Sequence, residues 1–333
     1  MFDIDYIGKN NQGIDIAKVS VQLAKQYVVK SLQFDKIYEN ETFLLLRDNR
    51  KELAKKHDRV CRFCGNRIPI VKFNDIAHFI PQYFGNKHFL SDFECDTCNH
   101  IFSAFENDFA NFLGLKRSFA PKTGKKGIPT YKTPDQKFVV KADENNGIRF
   151  EANLDDKGYF TQDRSRKEIN IKQIKHPYIP VNVFRCLLKI AVSLIDKEKL
   201  SNYKNTFEFL MDDNLLEPKS PLIAIHQFFI PGPPAKTPLL FLYKKRENVS
   251  NHLIPKRTMI ITFHNYTYQL FIPFDKDEMI LNETNDRIKA TIMPPMVSQK
   301  WIDKYGSPVS SLKNLSDIKT VKGDEEKIKF KYE

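Results

Sequence analysis

Apolar residues recur at helical intervals in IDIAKVSVQLAKQYVVK, from Ile14 to Lys30, and again in FLLLRDNRKELAKKH, from Phe43 to His57, so the chain is predicted to open on two helices. A third helix is predicted in FSAFENDFANFLG, where Phe102, Phe105, Phe109, Phe112 and Leu113 form one stripe and Gly114 supplies the stop. Beyond about residue 130 the period changes to two. KFVVKADENNGIRFEANL alternates and carries an Asn-Gly turn signal, which predicts a hairpin. VNVFRCLLKIAVSLIDKEKL then places Phe184, Leu187, Leu188, Ala191, Leu194 and Ile195 on one broad face, the mark of a helix lying across a sheet, with Cys186 as a small buried residue. PLIAIHQFFIP, PLLFLYKK and MIITFHNYTYQLFIPF add three or four strands, the last a hairpin turning near His264 and Asn265.

These elements make an α+β protein, and its 333 residues suggest two domains. The pattern divides into an N-terminal helical segment (1–58), a cysteine-rich unit (59–114), a basic linker (115–135) and a mixed α+β C-terminal domain (136–333) that recognises, senses or docks something. In the linker, LKRSFAPKTGKKGIP scatters Lys116, Arg117, Lys122, Lys125 and Lys126 among Pro and Gly, either as a phosphate-binding arm or as a solvated connection. The formal charge of +12 favours an anionic partner, for which nucleic acid is the common choice. A hydrophobic content of 41% argues against disorder. Every apolar run is shorter than the roughly 18 to 20 residues of a membrane helix, and the N-terminus has no secretory pattern, so the cytoplasm is expected. The second half offers no repeat, phosphate loop or triad spacing, and His226, His252 and His264 read as structural or incidental.

Chemistry concentrates between Cys61 and Phe102, which hold four of the five cysteines as two C-x-x-C pairs, Cys61/Cys64 and Cys95/Cys98. Four soft thiolates suit a closed, structural zinc site better than a disulfide framework or a redox pair. NDIAHFIPQYFGNKHFLSDFE, between the pairs, is predicted to form two short strands joined by a loop, with a helix beginning near Asn99.

The order Cys61-x-x-Cys64, His78-x-x-Pro81, Cys95-x-x-Cys98-Asn99 resembles the zinc-stapled form of the HNH nucleases, over residues 61 to about 114. The resemblance implies a ββα-metal unit that hydrolyses phosphodiester bonds of DNA, RNA being the less favoured substrate. His78 would be the general base and Asn99 a ligand of a catalytic Mg²⁺ or Mn²⁺, distinct from the zinc. Asn99 also suits a helix N-cap. The acidic residue that many members carry before the base is replaced by Ala77, and Glu106, two helical turns after Asn99, is the candidate second ligand. The family's central Asn falls at Leu90 and is missing. Asn86 and His88 are nearby candidates for contacting phosphate or orienting His78, or are simply solvated loop residues. By analogy the whole chain resembles bacterial restriction or phage-defence effectors, with the second domain controlling cleavage through modified DNA, a signal nucleotide or a protein partner such as a short Argonaute. The alternatives are a non-catalytic zinc module that binds nucleic acid and a structural partner protein.

Overall fold

The computed structural model describes residues 3–9, 15–20, 23–45, 53–84, 86, 89–119, 130–133, 135–142, 148–152, 158–216, 220–275 and 288–331. The N-terminal part departs from the predicted pair of helices. Strands β1 (Asp3–Lys9) and β2 (Asp15–Ser20) pair antiparallel, and the first helix, α1 (Lys25–Ile37), comes later than expected. The second predicted helix is replaced at its start by strand β3 (Tyr38–Leu45). A short apolar run such as Phe43–Leu45 fits either structure locally, and here a partner strand far along the chain decides it. α1 buries Phe34 and leaves Val28, Val29 and Leu32 exposed.

The Phe-rich stripe forms as predicted. Helix α2 (Asp96–Leu113) buries Phe102, Phe105, Phe109, Phe112 and Leu113, and Gly114 ends it at φ +52°, a conformation that costs glycine little. Among the described residues, the two strands expected between the cysteine pairs reduce to one antiparallel bridge, His78 to Leu90. Directly after α2 the first residues of the expected linker pack on the protein, and 120–129 lie outside the described residues. Residues Gly114–Phe119 form a 3₁₀ turn in which Leu115, Lys116 and Ser118 are buried.

Strands β4 (Tyr131–Lys132), β5 (Phe138–Ala142) and β6 (Ile148–Ala152) form one small antiparallel sheet, in which β5 and β6 are the predicted hairpin; its Asn-Gly turn lies outside the described residues. β7 (Phe160–Asp163) and β8 (Glu168–Ile174) belong to a second small sheet. Helix α3 (Pro180–Ser193) follows. The predicted face is buried, but so is nearly every other side chain of α3, Cys186, Arg185 and Lys189 included. After α4 (Lys204–Met211) come β9 (Ala224–Phe229), β10 (Ala235–Lys245) and the hairpin β11 (Arg257–His264) and β12 (Tyr266–Phe271), which turns at His264 with φ +54°. α5 (Gln299–Tyr305), β13 (Val309–Asn314) and β14 (Glu325–Lys331) complete the chain, β14 joining β8 and β7.

The main sheet is antiparallel, in the order β13-β9-β12-β11-β10-β3, so the N-terminal strand is one edge of a sheet otherwise made of the second half. One face of it, with Leu240, Leu242, Ile261 and Tyr268, shares a single apolar cluster with α3, α2 and the cysteine unit. The other face, with Leu239, Phe241 and Ile260, packs on Phe34 and Tyr38. A separate small core around Tyr131, Phe138 and Ile171 includes Leu115. Among the described residues no helix is long and apolar enough to cross a membrane.

Candidate metal centre and histidine site

The first knuckle is shaped by its backbone. The Gly65 N–H donates to the Cys61 carbonyl at 2.9 Å and Cys61 N–H to Asn66 at 2.8 Å, while Gly65, at φ +73°, lets the chain reverse directly after Cys64. The second knuckle is the entry of α2, with Cys95 at the N-cap and Cys98 in the first turn. All four sulfur atoms lie within 4.8 Å of one another, with Cys61 to Cys98 at 3.6 Å and Cys64 to Cys95 at 3.9 Å. A tetrahedron of zinc–sulfur bonds has edges of about 3.8 Å, so the spacing fits the ion. The neighbouring thiols shift one another in opposite directions. The hydrogen bond between Cys61 and Cys98 holds the Cys61 thiol down to about 5, and that bond, followed by burial and the charge on Cys61, pushes Cys98 up. A dication bound to all four would relieve the conflict.

Asp96, at the start of α2, accepts hydrogen bonds from the backbone of Asn74 and Asp75 at 2.8 to 3.1 Å, which fixes the loop leading to His78. The bridge to Leu90 and the Ser91 N–H bond to the Ala77 carbonyl at 2.8 Å then fix the segment itself. Ala77, Phe79 and Ile80 are buried, whereas His78 is only half-buried. The Gln82 amide lies 3.2 Å from His78 Nε2 and 3.4 Å from Nδ1.

The other predicted residues fare differently. Asn99 is half-buried inside the first turn of α2 rather than at its cap. Glu106 is not a free ligand, because Lys189 Nζ lies 3.5 Å from its carboxylate; burial, opposed in part by Lys189, holds that carboxyl above the usual range. Asn86 is 1% exposed and ties the loop together, its amide donating to the Ile80 carbonyl at 2.7 Å and accepting from Phe89 N–H at 2.8 Å, so it braces the loop instead of facing substrate. His88 lies outside the described residues, as do Lys122, Lys125 and Lys126. Lys116 is not on an arm: it is buried, with Nζ 2.8 Å from Glu326 and 4.7 Å from the Tyr266 ring centroid. Arg117 is half-buried, its guanidinium 5.9 Å from the Tyr83 ring centroid.

Two residues that no motif marks join this unit to α3. Arg62, inside the first knuckle, donates through Nη1 to the carbonyls of Val192, Ser193 and Ile195 at 2.8 to 3.0 Å. Lys189 reaches back from α3 to the His78 carbonyl at 2.7 Å and lies 3.2 Å from Glu94. The sequence carried one signal for the latter, since a lysine within LLKIAV interrupts an apolar helix and implies a buried partner. In comparisons with known proteins, no family model, curated protein or solved structure matches the chain.

Proposed function

We propose that the chain is an HNH-type endonuclease that hydrolyses phosphodiester bonds of DNA, with Cys61, Cys64, Cys95 and Cys98 holding a structural zinc and His78 as general base. What carries the reading is a half-buried His78 flanked by buried Ala77, Phe79 and Ile80, between two knuckles whose sulfurs fit one ion. The zinc would supply rigidity alone, since four thiolates leave it no open position. His78 would take the proton from the water that attacks phosphorus, a task suited to an imidazole whose ordinary titration lies near neutrality.

A catalytic divalent ion fits less well. Hard ions such as Mg²⁺ take oxygen ligands, usually one or two carboxylates, and the described residues offer Asn99 while Glu106 is committed to Lys189. No step is therefore assigned to that ion. The same observation favours a second reading, a zinc module that binds nucleic acid without cutting it.

Plasmid DNA incubated with zinc-loaded protein in EDTA, Mg²⁺ or Mn²⁺ separates the two. The nuclease reading expects nicking by the wild type and a loss of at least about 10²-fold in His78→Ala. Binding without nicking in every condition would establish the second reading, and equal cutting by both proteins would remove His78 from the mechanism.

A further inference from the structure

We propose that Lys189 of α3 is a positioning residue for His78, through which the sheet-bearing half of the chain sets the geometry of the base. The inference rests on the nuclease reading for its consequence, though not for its structure.

Lys189 is 1% exposed, and the Glu94 side chain beside it is fully buried. The ammonium donates a hydrogen bond to the His78 carbonyl at 2.7 Å and forms ion-pair contacts with Glu94 at 3.2 Å and Glu106 at 3.5 Å. The Phe102 ring closes the site, its centroid 5.4 Å away. Burying a cation between carboxylates is a poor route to stability, because apolar side chains of the same volume often do as well or better. What the cation achieves that a leucine would not is a directional, charge-assisted bond to one chosen carbonyl. That carbonyl belongs to His78. The bond fixes the peptide plane after His78, the bridge to Leu90 fixes the neighbouring chain, and together they set the direction in which the imidazole leaves the backbone.

Neighbouring contacts tie the same three pieces. Asn182, one turn into α3, donates to Asp108 of α2 at 2.8 Å, and Arg62 binds the far end of α3. Tyr83 O–H donates to the Glu106 carbonyl at 3.2 Å. A shift of α3 would thus be felt at His78 first through Lys189. A displacement of about 1 Å in a catalytic group costs on the order of 10²-fold in rate.

The test compares zinc-loaded wild-type protein with Lys189→Met/Glu94→Gln, which removes the ammonium together with the buried acid beside it, whose carboxyl burial pushes up to about 7. Imidazole NMR signals of His78, assigned with His78→Gln, report its surroundings, and nicking of plasmid DNA reports kcat and KM. The variant is expected to keep one zinc per chain and a cooperative melt, to show a displaced His78 signal, and to lose about 10²-fold in kcat with KM for DNA unchanged. Should it fail to fold, Lys189→Gln/Glu94→Gln takes its place: the two amides can pair with each other, but the shorter Gln leaves the His78 carbonyl unbonded. A folded, zinc-loaded variant with the wild-type His78 signal and wild-type kcat overturns the proposal. If the wild type nicks no DNA under any condition, the nuclease reading fails separately, and the NMR comparison alone decides whether Lys189 positions His78.

Discussion

Replacing Arg62 by alanine tests how firmly the first knuckle is attached to α3. The helix ends without a basic residue in its last turn, and its final carbonyls lie at the negative end of the helix dipole. Arg62 Nη1 meets three of the carbonyls there, at 2.9, 3.0 and 2.8 Å, with two N–H groups to share among them. The guanidinium also sits 4.2 Å from the Phe93 ring centroid. Two charge-assisted bonds contribute roughly 1.5 to 3 kcal/mol each, and the ring contact about 0.5 to 1 kcal/mol. Because Arg62 is half-buried, water can reach part of the vacated space, so a loss of about 3 kcal/mol is expected. Arg62→Lys should lose about half as much, since it keeps the charge but not the planar fork. Urea titration of the zinc-loaded protein measures this as a lower midpoint at unchanged slope. A loss below about 1 kcal/mol for Arg62→Ala would show that the carbonyls are equally well served by water and that the joint is not held by Arg62.

Two further measurements bear on the site and the core. Metal analysis should find one zinc per chain and none in Cys95→Ser. Because α2, α3 and the main sheet share one apolar cluster, chelation should lower a single melting transition of the whole chain; a separate early transition would contradict the shared core. Glu41 provides a test in pH. Burial raises its carboxyl, but the hydrogen bonds from Arg257 and Lys199 outweigh burial and hold it below the ordinary carboxylate range. A depressed folded value means that the stabilisation is fully present above the unfolded carboxylate range and is lost as the pH falls through the folded value. Glu41→Gln should therefore be less stable than wild type at pH 7, with a shallower decline on acidification, and parallel stability curves down to pH 3 would refute the role given to Glu41.

The attachment of α3 to the cysteine unit changes what the second half of the chain can do. Asn182, Lys189 and Arg62 contact it at the start, the middle and the end of α3. Any ligand or partner that moved α3 would have to break these bonds together or carry the cysteine unit with it. Under the proposed function, regulation by the C-terminal half would act through this helix.

Elements with local signals were legible in the chain. The Phe stripe from Phe102 to Leu113 forms α2, the period-two alternation forms the paired strands β5 and β6, and His264 and Asn265 turn the hairpin of β11 and β12; the two C-x-x-C steps name the sulfur ligands, which the fold brings together. The helix, the strands and the turn depend on side-chain period or backbone preference within a few residues, which a sequence displays directly. The remaining features depend on packing, because there the deciding partner is remote in sequence. Phe43 becomes strand because it pairs with Phe241, and Lys116 leaves its expected arm because Glu326 and Tyr266 receive its charge. Glu106 lies toward Lys189 rather than the expected ion for the same reason: a half-buried carboxyl takes the nearest cation, and which cation is nearest is set by how α2 and α3 pack.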